Sequence, residues 1–149
     1  MIRDGLAGIL TPDQQKDRER LDRYIIREGL VSVMNDTKWR EVVQMLEDET
    51  EGISFRAKTV RGSEPAADYW DSGFPYHFPH YYKAIEWIEF KTSISIYHES
   101  SAAGKYYTGK WFDNSERVTA ALEAKSIPFH LAEGVIRIQG YTRPGKPAD

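Results

Sequence analysis

Residues 84–92 read AIEWIEFKT, and the rest of the fold is organised around this stretch. Side chains alternate between the two faces of an extended strand, so Ile85 and Trp87 face one way and Ile88 and Phe90 face the other. Apolar side chains on both faces are typical of a central strand that is covered on both sides. We therefore predict a sheet built around this segment.

Two helices and a strand are predicted before it. Thr11 is typical of a helix N-cap, and Gly29 is typical of a helix end. Asn35, Asp36 and Thr37 are all typical caps for a second helix. After them, apolar residues recur at the spacing of a helix that lies on a core: Trp39, Val42, Val43 and Leu46. Residues 53–60 then alternate as a half-buried strand.

The C-terminal part predicts a loop, a third helix and a hairpin. Residues 100–110 contain two glycines and are typical of a loop. Residues 113–115 cap a helix that Pro128 ends, and residues 129–141 form a hairpin that turns at 133–134. The predicted fold is α+β, a single domain with a largely antiparallel sheet packed by about three helices.

The length and composition are those of one folded domain, and they exclude several kinds of site. We place the domain at residues 12–143, with a flexible arm at 1–11 and a frayed tail at 144–149. With no cysteine, the chain has no disulfide, thiolate zinc site or cysteine nucleophile. No signal peptide or membrane span is evident. We expect a cytoplasmic protein that binds no cofactor and no membrane.

The formal net charge of −3 argues against nucleic acid as a partner, because nucleic-acid-binding domains usually carry a basic surface. The charge is uneven, since residues 12–51 carry eleven acidic and seven basic side chains. The densest acidic group is Glu47, Asp48, Glu49 and Glu51. These acids form either a solvated helix end or a surface that steers a basic partner.

Nine of the nineteen aromatic residues lie between Tyr69 and Phe90. Gly73, Pro75 and Pro79 exclude a regular helix or central strand in the first part of this segment. We expect about half of the nine rings to be buried and the others to lie on a loop, where binding residues are often found. The residues predicted to contact a partner here are Trp70, Asp71, Tyr76, His77, His80 and Tyr81.

The sequence lacks the usual signatures of an enzyme. It contains no Gly-x-Ser-x-Gly, no Walker lysine loop and no Gly-x-Gly-x-x-Gly. Glu86 and Glu89 differ by three positions, so a regular strand points them to opposite faces, where they cannot act as a catalytic pair. The interpretation as a non-enzyme is therefore preferred.

An alternative hypothesis rests on His77, His80 and Asp71. Imidazoles and a carboxylate that converge on one point can hold a metal ion. The protein would then bind a small molecule or a metal, and a metal-dependent enzyme is included in this alternative. Pro75 and Pro79 disfavour the helix that would place both imidazoles on one face, which favours polar tips on an aromatic loop instead.

Three short motifs stand out along the chain. They are Asn-x-Thr-Lys-Trp at residues 35–39, Ile-Glu-Trp at 85–87 and Ile-Arg-Ile-x-Gly-Tyr at 136–141. Together they resemble a family of small bacterial proteins of unknown function, over about residues 33–143. The resemblance implies a bacterial origin and a fold boundary, but no catalytic residues. Small acidic bacterial domains of this kind often accompany toxins as immunity proteins, which is an association and not a physical argument.

These observations favour a non-catalytic protein-binding module, most concretely an immunity protein that occludes a bacterial toxin. Trp70, Tyr76 or Tyr81 would anchor the interface, and the acids at residues 47–51 would steer association. A homodimer formed through the aromatic residues is compatible with this hypothesis and with the alternative.

Overall fold

The computed structural model describes residues 9–50, 53–100 and 104–145 of the chain. Within these residues there are three helices, one 3₁₀ turn and eight strands. The helical elements are α1 (Pro12–Arg27), α2 (Asp36–Glu49), the 3₁₀ turn (Tyr82–Ala84) and α3 (Ser115–Ala124). The strands are β1 (Val31–Ser32), β2 (Phe55–Thr59), β3 (Ile85–Lys91), β4 (Ser93–Ser100), β5 (Gly104–Asp113), β6 (His130–Ala132), β7 (Val135–Gln139) and β8 (Tyr141–Thr142).

All of the described strand pairs are antiparallel. The main sheet has the order β2-β3-β7-β6, while β4 pairs with β5 and β1 pairs with β8. The predicted fold class, a single α+β domain with antiparallel sheet and three helices, is confirmed. The central position predicted for residues 84–92 is also confirmed, because β3 lies between β2 and β7.

Side-chain caps begin the first two helices where the sequence predicts them. The Gln14 N–H donates to Thr11 Oγ1 at 3.1 Å, and the Thr11 N–H donates to Gln14 Oε1 at 2.9 Å, which forms a capping box. At α2, the Lys38 N–H donates to Asn35 Oδ1 at 2.8 Å. Each cap satisfies backbone groups that have no partner within the helix.

Helices α2 and α3 cover one face of the main sheet. Their buried residues are Trp39, Val42, Met45, Leu46, Val118 and Leu122. On the sheet they meet Phe55, Ile85, Ile88, Phe90, Ile136 and Ile138. Burying a side chain of this size contributes about 1.5–3 kcal/mol. This layer is therefore the main core of the domain.

Helix α1 packs through a second apolar cluster. Leu21 is buried there with Leu30, Val60 and Tyr141. An ion pair of 2.7 Å between Lys83 Nζ and Asp22 Oδ1 also ties the 3₁₀ turn to α1. The first helix is thus part of the folded domain and covers residues outside the α2–α3 layer.

A β-bulge interrupts β3. Lys58 pairs with Trp87, and the next residue of β2, Thr59, pairs with Ile85. Glu86 is therefore an extra residue that has no counterpart on β2.

The bulge changes which side chains share a face of the sheet. Ile85 joins Ile88 and Phe90 in the main core, although strict alternation places it on the opposite face. Glu86 and Glu89 both lie on the outer face, where they bind side chains of neighbouring strands. The prediction that these two glutamates point to opposite faces is wrong, because it assumed a regular strand.

The C-terminal hairpin is confirmed, and its turn residues Glu133 and Gly134 have φ angles of 53° and 76°. The loop predicted at residues 100–110 is wrong over residues 104–110, which belong to β5. Tyr106, Tyr107 and Thr108 favour a strand, and they outweigh the two glycines of this stretch.

The predicted arm at residues 1–11 and the predicted tail at 144–149 lie mostly outside the described residues, so these boundaries stay predictions. In the described part of the chain, no helix combines the length and the apolar character needed to cross a bilayer.

Candidate functional site

The aromatic loop, residues 69–82, begins with a backbone link to the main sheet. The Asp71 N–H donates to the Phe55 carbonyl at 2.7 Å, and the Phe55 N–H donates to the Asp71 carbonyl at 2.9 Å. Since Phe55 is the first residue of β2 and is buried, this bridge fixes the start of the loop to the core.

The side chain of Asp71 folds the loop onto itself. Its Oδ1 accepts the Gly73 N–H at 2.7 Å and lies 2.8 Å from His77 Nδ1, and its Oδ2 accepts the Tyr69 hydroxyl at 3.1 Å. Burial raises the pKa of Asp71, but the hydrogen bonds from Gly73, His77 and Tyr69 outweigh it and hold the pKa below its ordinary range. Asp71 is therefore an ionised anchor of the loop.

Two phenylalanines anchor the middle of the loop in the core. The Phe78 side chain is 4% exposed, and its ring centroid lies 5.7 Å from Phe55, 5.9 Å from Phe74 and 6.4 Å from Trp39. The Phe74 ring meets Phe55 edge-on at 5.9 Å. Such edge-to-face contacts stabilise the loop beyond the burial of area.

The loop presents other side chains to solvent. Tyr76 is 84% exposed and Tyr69 is 49% exposed. His77 and His80 are exposed as well, although His77 is held by Asp71. An accessible phenol and two accessible imidazoles thus project from a backbone that is fixed on both sides.

Trp70 and Tyr81, two of the predicted anchors, are only partly exposed because cations of the same chain cover them. The Arg56 guanidinium lies 4.2 Å and Lys91 Nζ lies 4.9 Å from the centroid of the Trp70 ring. Arg18 stacks 4.0 Å from the centroid of Tyr81. These cation–π contacts occupy ring surface that a partner would otherwise meet.

The acidic residues predicted to steer a partner differ in exposure and in their contacts. Glu47 and Asp48 are exposed near the end of α2. Glu49 is partly buried, and its Oε1 lies 2.7 Å from Arg117 Nη2 of α3. Glu51 lies outside the described residues. Glu47 and Asp48 are therefore the described acids that can act on a partner from this end of the helix.

The structure separates the acidic group from the aromatic loop. The loop contacts α2 near its start, where Phe78 meets Trp39. Glu47 lies eight residues further along, which corresponds to about 12 Å of helix axis at 1.5 Å per residue. The predicted site residues consequently form two surfaces, and Asp71 and His77 are the pair that the structure brings into direct contact.

The histidines and Asp71 do not form a group of three metal-binding side chains. Among the side chains that the structure describes, in residues 9–50, 53–93 and 113–145, no three of His, Asp or Glu are placed to hold one ion together. His77 Nδ1 instead faces Asp71, as in an ordinary hydrogen-bonded pair. The contact between Asp71 and His77 is therefore the observation that supports the metal hypothesis.

A charge network on the outer face of the main sheet was not anticipated from the sequence. Glu89 accepts hydrogen bonds from Arg56 Nε at 2.8 Å and from Arg137 Nε at 2.9 Å. The Arg137 guanidinium also stacks 4.0 Å from the ring centroid of Trp87, which is 5% exposed. The face that was predicted to be apolar is thus closed by paired charges and one ring.

Glu86, the bulged residue, forms the second half of this network. It accepts hydrogen bonds from Lys58 Nζ at 2.7 Å and from Arg143 at 2.9 Å through Nε and 2.8 Å through Nη2. Burial raises the pKa of Glu86, but the hydrogen bonds from Arg143 and Lys58 lower it by more than burial raises it, so the pKa lies below its ordinary range. The bulge thus directs Glu86 toward two cations.

Comparison with known proteins found a match to a family model. The model of a family of unknown function, DUF6678, matches residues 21–145 of the chain. The match is longer than the residues 33–143 covered by the resemblance and begins within α1. No curated protein and no solved structure gave a significant match. The chain therefore belongs to the DUF6678 family.

Proposed function

We propose that this member of the DUF6678 family is a non-catalytic protein-binding module that occludes a surface of another protein with its aromatic loop. The observation that carries the proposal is Tyr76, which is 84% exposed on a loop held by Asp71 and Phe78. A large ring on a fixed backbone binds without much loss of conformational freedom, so more of its contact energy remains as affinity.

Tyrosine is also among the residues that dominate the energy of protein interfaces. Truncating such a residue at the centre of an interface costs about 2 kcal/mol or more. His77 and His80 are exposed on the same loop and supply polar contacts around the ring. Trp70 and Tyr81 are assigned a supporting part, because their rings are already stacked with cations.

In its most concrete form, the proposal is an immunity protein that occludes a toxin in the bacterial cytoplasm. The small size, the absence of catalytic signatures from the sequence and the acidic residues support it. This specific form rests on association, and the loop geometry supports the broader proposal of protein binding.

The acidic end of α2 would steer a basic partner. Glu47 and Asp48 are exposed, whereas Arg117 already balances the charge of Glu49. Exposed charges act mainly on the rate of association and are screened by salt. We therefore assign steering to Glu47 and Asp48, and anchoring to Tyr76.

The proposal is tested by capturing partners from the source organism with the tagged protein and with two variants. Tyr76→Ala removes the exposed ring, and Leu131→Ala removes an exposed apolar side chain from β6, away from the loop. We expect one protein to bind in a one-to-one ratio with the wild type and the Leu131 variant, and to bind the Tyr76 variant at least thirtyfold more weakly, which is about 2 kcal/mol.

Purified components give the decisive measurement. Equal affinity of the wild type and Tyr76→Ala for the captured protein would remove the aromatic loop from the interface. If the captured protein arrests growth when expressed alone and not when co-expressed with the wild type, the immunity form is supported. Growth arrest that the wild type does not relieve would contradict that form while leaving the binding proposal to the affinity measurement.

A further inference from the structure

Four arginines of this acidic chain line one cleft. Arg20, Arg23 and Arg27 recur along α1 at spacings of three and four residues, and Arg61 follows β2. With Tyr24 they line this open cleft, which has a volume of about 450 Å³. Cavities that bind small molecules have volumes of roughly 300–1,000 Å³, so this one is large enough for a ligand.

Acids of the same chain neutralise only part of this charge. Arg20 lies 3.1 Å from Asp17, and Arg27 lies 3.4 Å from Glu28, in pairs whose side chains are all more than 40% exposed. Exposed pairs of this kind are weak, because water and salt screen them. Arg23 and Arg61 form no ion pair with any residue that the structure describes.

The arrangement is unfavourable for the helix by itself. Like charges three or four positions apart on one helix face repel each other. An anion in the cleft would relieve this repulsion among Arg20, Arg23 and Arg27. One wall is firmly supported, because Tyr24 packs against the apolar cluster around Leu21.

We propose that this cleft binds a small ligand that carries two or more phosphate groups. The planar guanidinium donates two parallel hydrogen bonds to phosphate oxygens, and several guanidiniums around one cavity match a ligand of several negative charges. A singly charged carboxylate would leave most of the cleft's charge unbalanced.

The rest of the molecule argues for a small ligand and not for a nucleic-acid strand. The whole chain has a net charge of −3, which opposes the binding of a long polyanion. The four arginines Arg20, Arg23, Arg27 and Arg61 are gathered in one cleft, which suits a compact ligand. This inference does not depend on the proposed function of the aromatic loop.

Isothermal titration with inorganic tripolyphosphate at fixed ionic strength tests the proposal. The double variant Arg23→Gln/Arg61→Gln removes the two arginines that have no described ion pair, and Arg40→Gln removes an exposed arginine of α2 that does not line the cleft. We expect the double variant to bind at least tenfold more weakly and the Arg40 variant to bind within twofold of the wild type. No binding by the wild type, or equal loss in both variants, would overturn the site.

A charge-preserving variant separates a built site from diffuse attraction. Arg23→Lys/Arg61→Lys keeps both charges and loses the two-pronged donors, so we expect at least a threefold loss of affinity. Wild-type affinity in this variant would show diffuse attraction and overturn the geometric argument. A single-stranded oligonucleotide of matched total charge should bind more weakly than tripolyphosphate, and tighter oligonucleotide binding would overturn the assignment of a small ligand.

Discussion

Replacing Glu86 with glutamine tests whether the outer-face network stabilises the domain. The Glu86 side chain is 9% exposed, and its partners Lys58 and Arg143 are 12% and 20% exposed. Glutamine keeps the volume and one acceptor oxygen but removes the charge that both cations face. Two largely buried cations then remain beside each other without a counter-charge.

The magnitude follows from the exposure of these groups. Removing one partner of a buried ion pair costs about 3–5 kcal/mol. Because the two cations keep some contact with water and glutamine keeps one hydrogen bond, we expect the lower end, about 3 kcal/mol. For a domain of this size, that corresponds to a decrease in Tm of roughly 6–12 °C.

Urea unfolding, followed by circular dichroism, measures the free energy of unfolding and the slope m for the wild type and the variant. Glu47→Gln on exposed α2 surface serves as the control, with an expected change within about 0.5 kcal/mol. Adding Lys58→Met to Glu86→Gln should recover part of the lost stability, since one of the two stranded cations is removed. A loss below about 1 kcal/mol at unchanged m would refute the reasoning.

The same network predicts a dependence on pH. The pKa of Glu86 in the folded protein lies below its ordinary value, because the bonds from Arg143 and Lys58 outweigh burial. Its stabilising contribution is therefore fully present above the unfolded pKa of about 4.3 and decreases as the pH falls through the folded value. The difference in stability between the wild type and Glu86→Gln should shrink as the pH is lowered across this range.

Two further predictions concern single residues, one in the sheet and one at the start of a helix. Gly140→Ala should destabilise the domain by about 1–3 kcal/mol in urea unfolding, because a Cβ at this position overlaps the Ile85 carbonyl and crowds the Trp39 ring. Stability equal to the wild type would show that the sheet adjusts freely there. Asn35→Ala should lower the free energy of unfolding by about 1 kcal/mol, because it removes the side-chain acceptor at the start of α2. Asn35→Asp keeps an acceptor and should retain most of the stability. Equal losses of stability in both variants would contradict a capping role.

Local sequence signals determined most of the secondary structure. The caps at Thr11 and Asn35, the helical spacing of Trp39, Val42 and Leu46, and the turn at residues 133–134 act within a few residues of each other. The caps and the turn act through neighbours along the chain, and the apolar spacing is itself visible in the sequence, so the sequence suffices to predict these elements. Residues 104–110 were mispredicted because two glycines were weighted above the strand preference of the residues around them.

The sequence predicted which residues belong to the candidate site, but it did not predict how they are arranged in space. The sequence indicated an aromatic loop with Tyr76, and the structure places that ring on the surface. Whether Trp70 stays accessible depended on Arg56 and Lys91, which come from two different strands. The distance between Glu47 and the loop likewise depended on which end of α2 the loop contacts.

The sequence by itself determined the fold class, the central strand and the aromatic loop of this DUF6678 protein. The tertiary structure decided which charges meet. One bulged residue, Glu86, places two glutamates on the same face, and α1 together with Arg61 gathers four arginines into one cleft, although the whole chain has a net charge of −3. Charges act through space and not along the chain, so strand register and helix docking determine their partners.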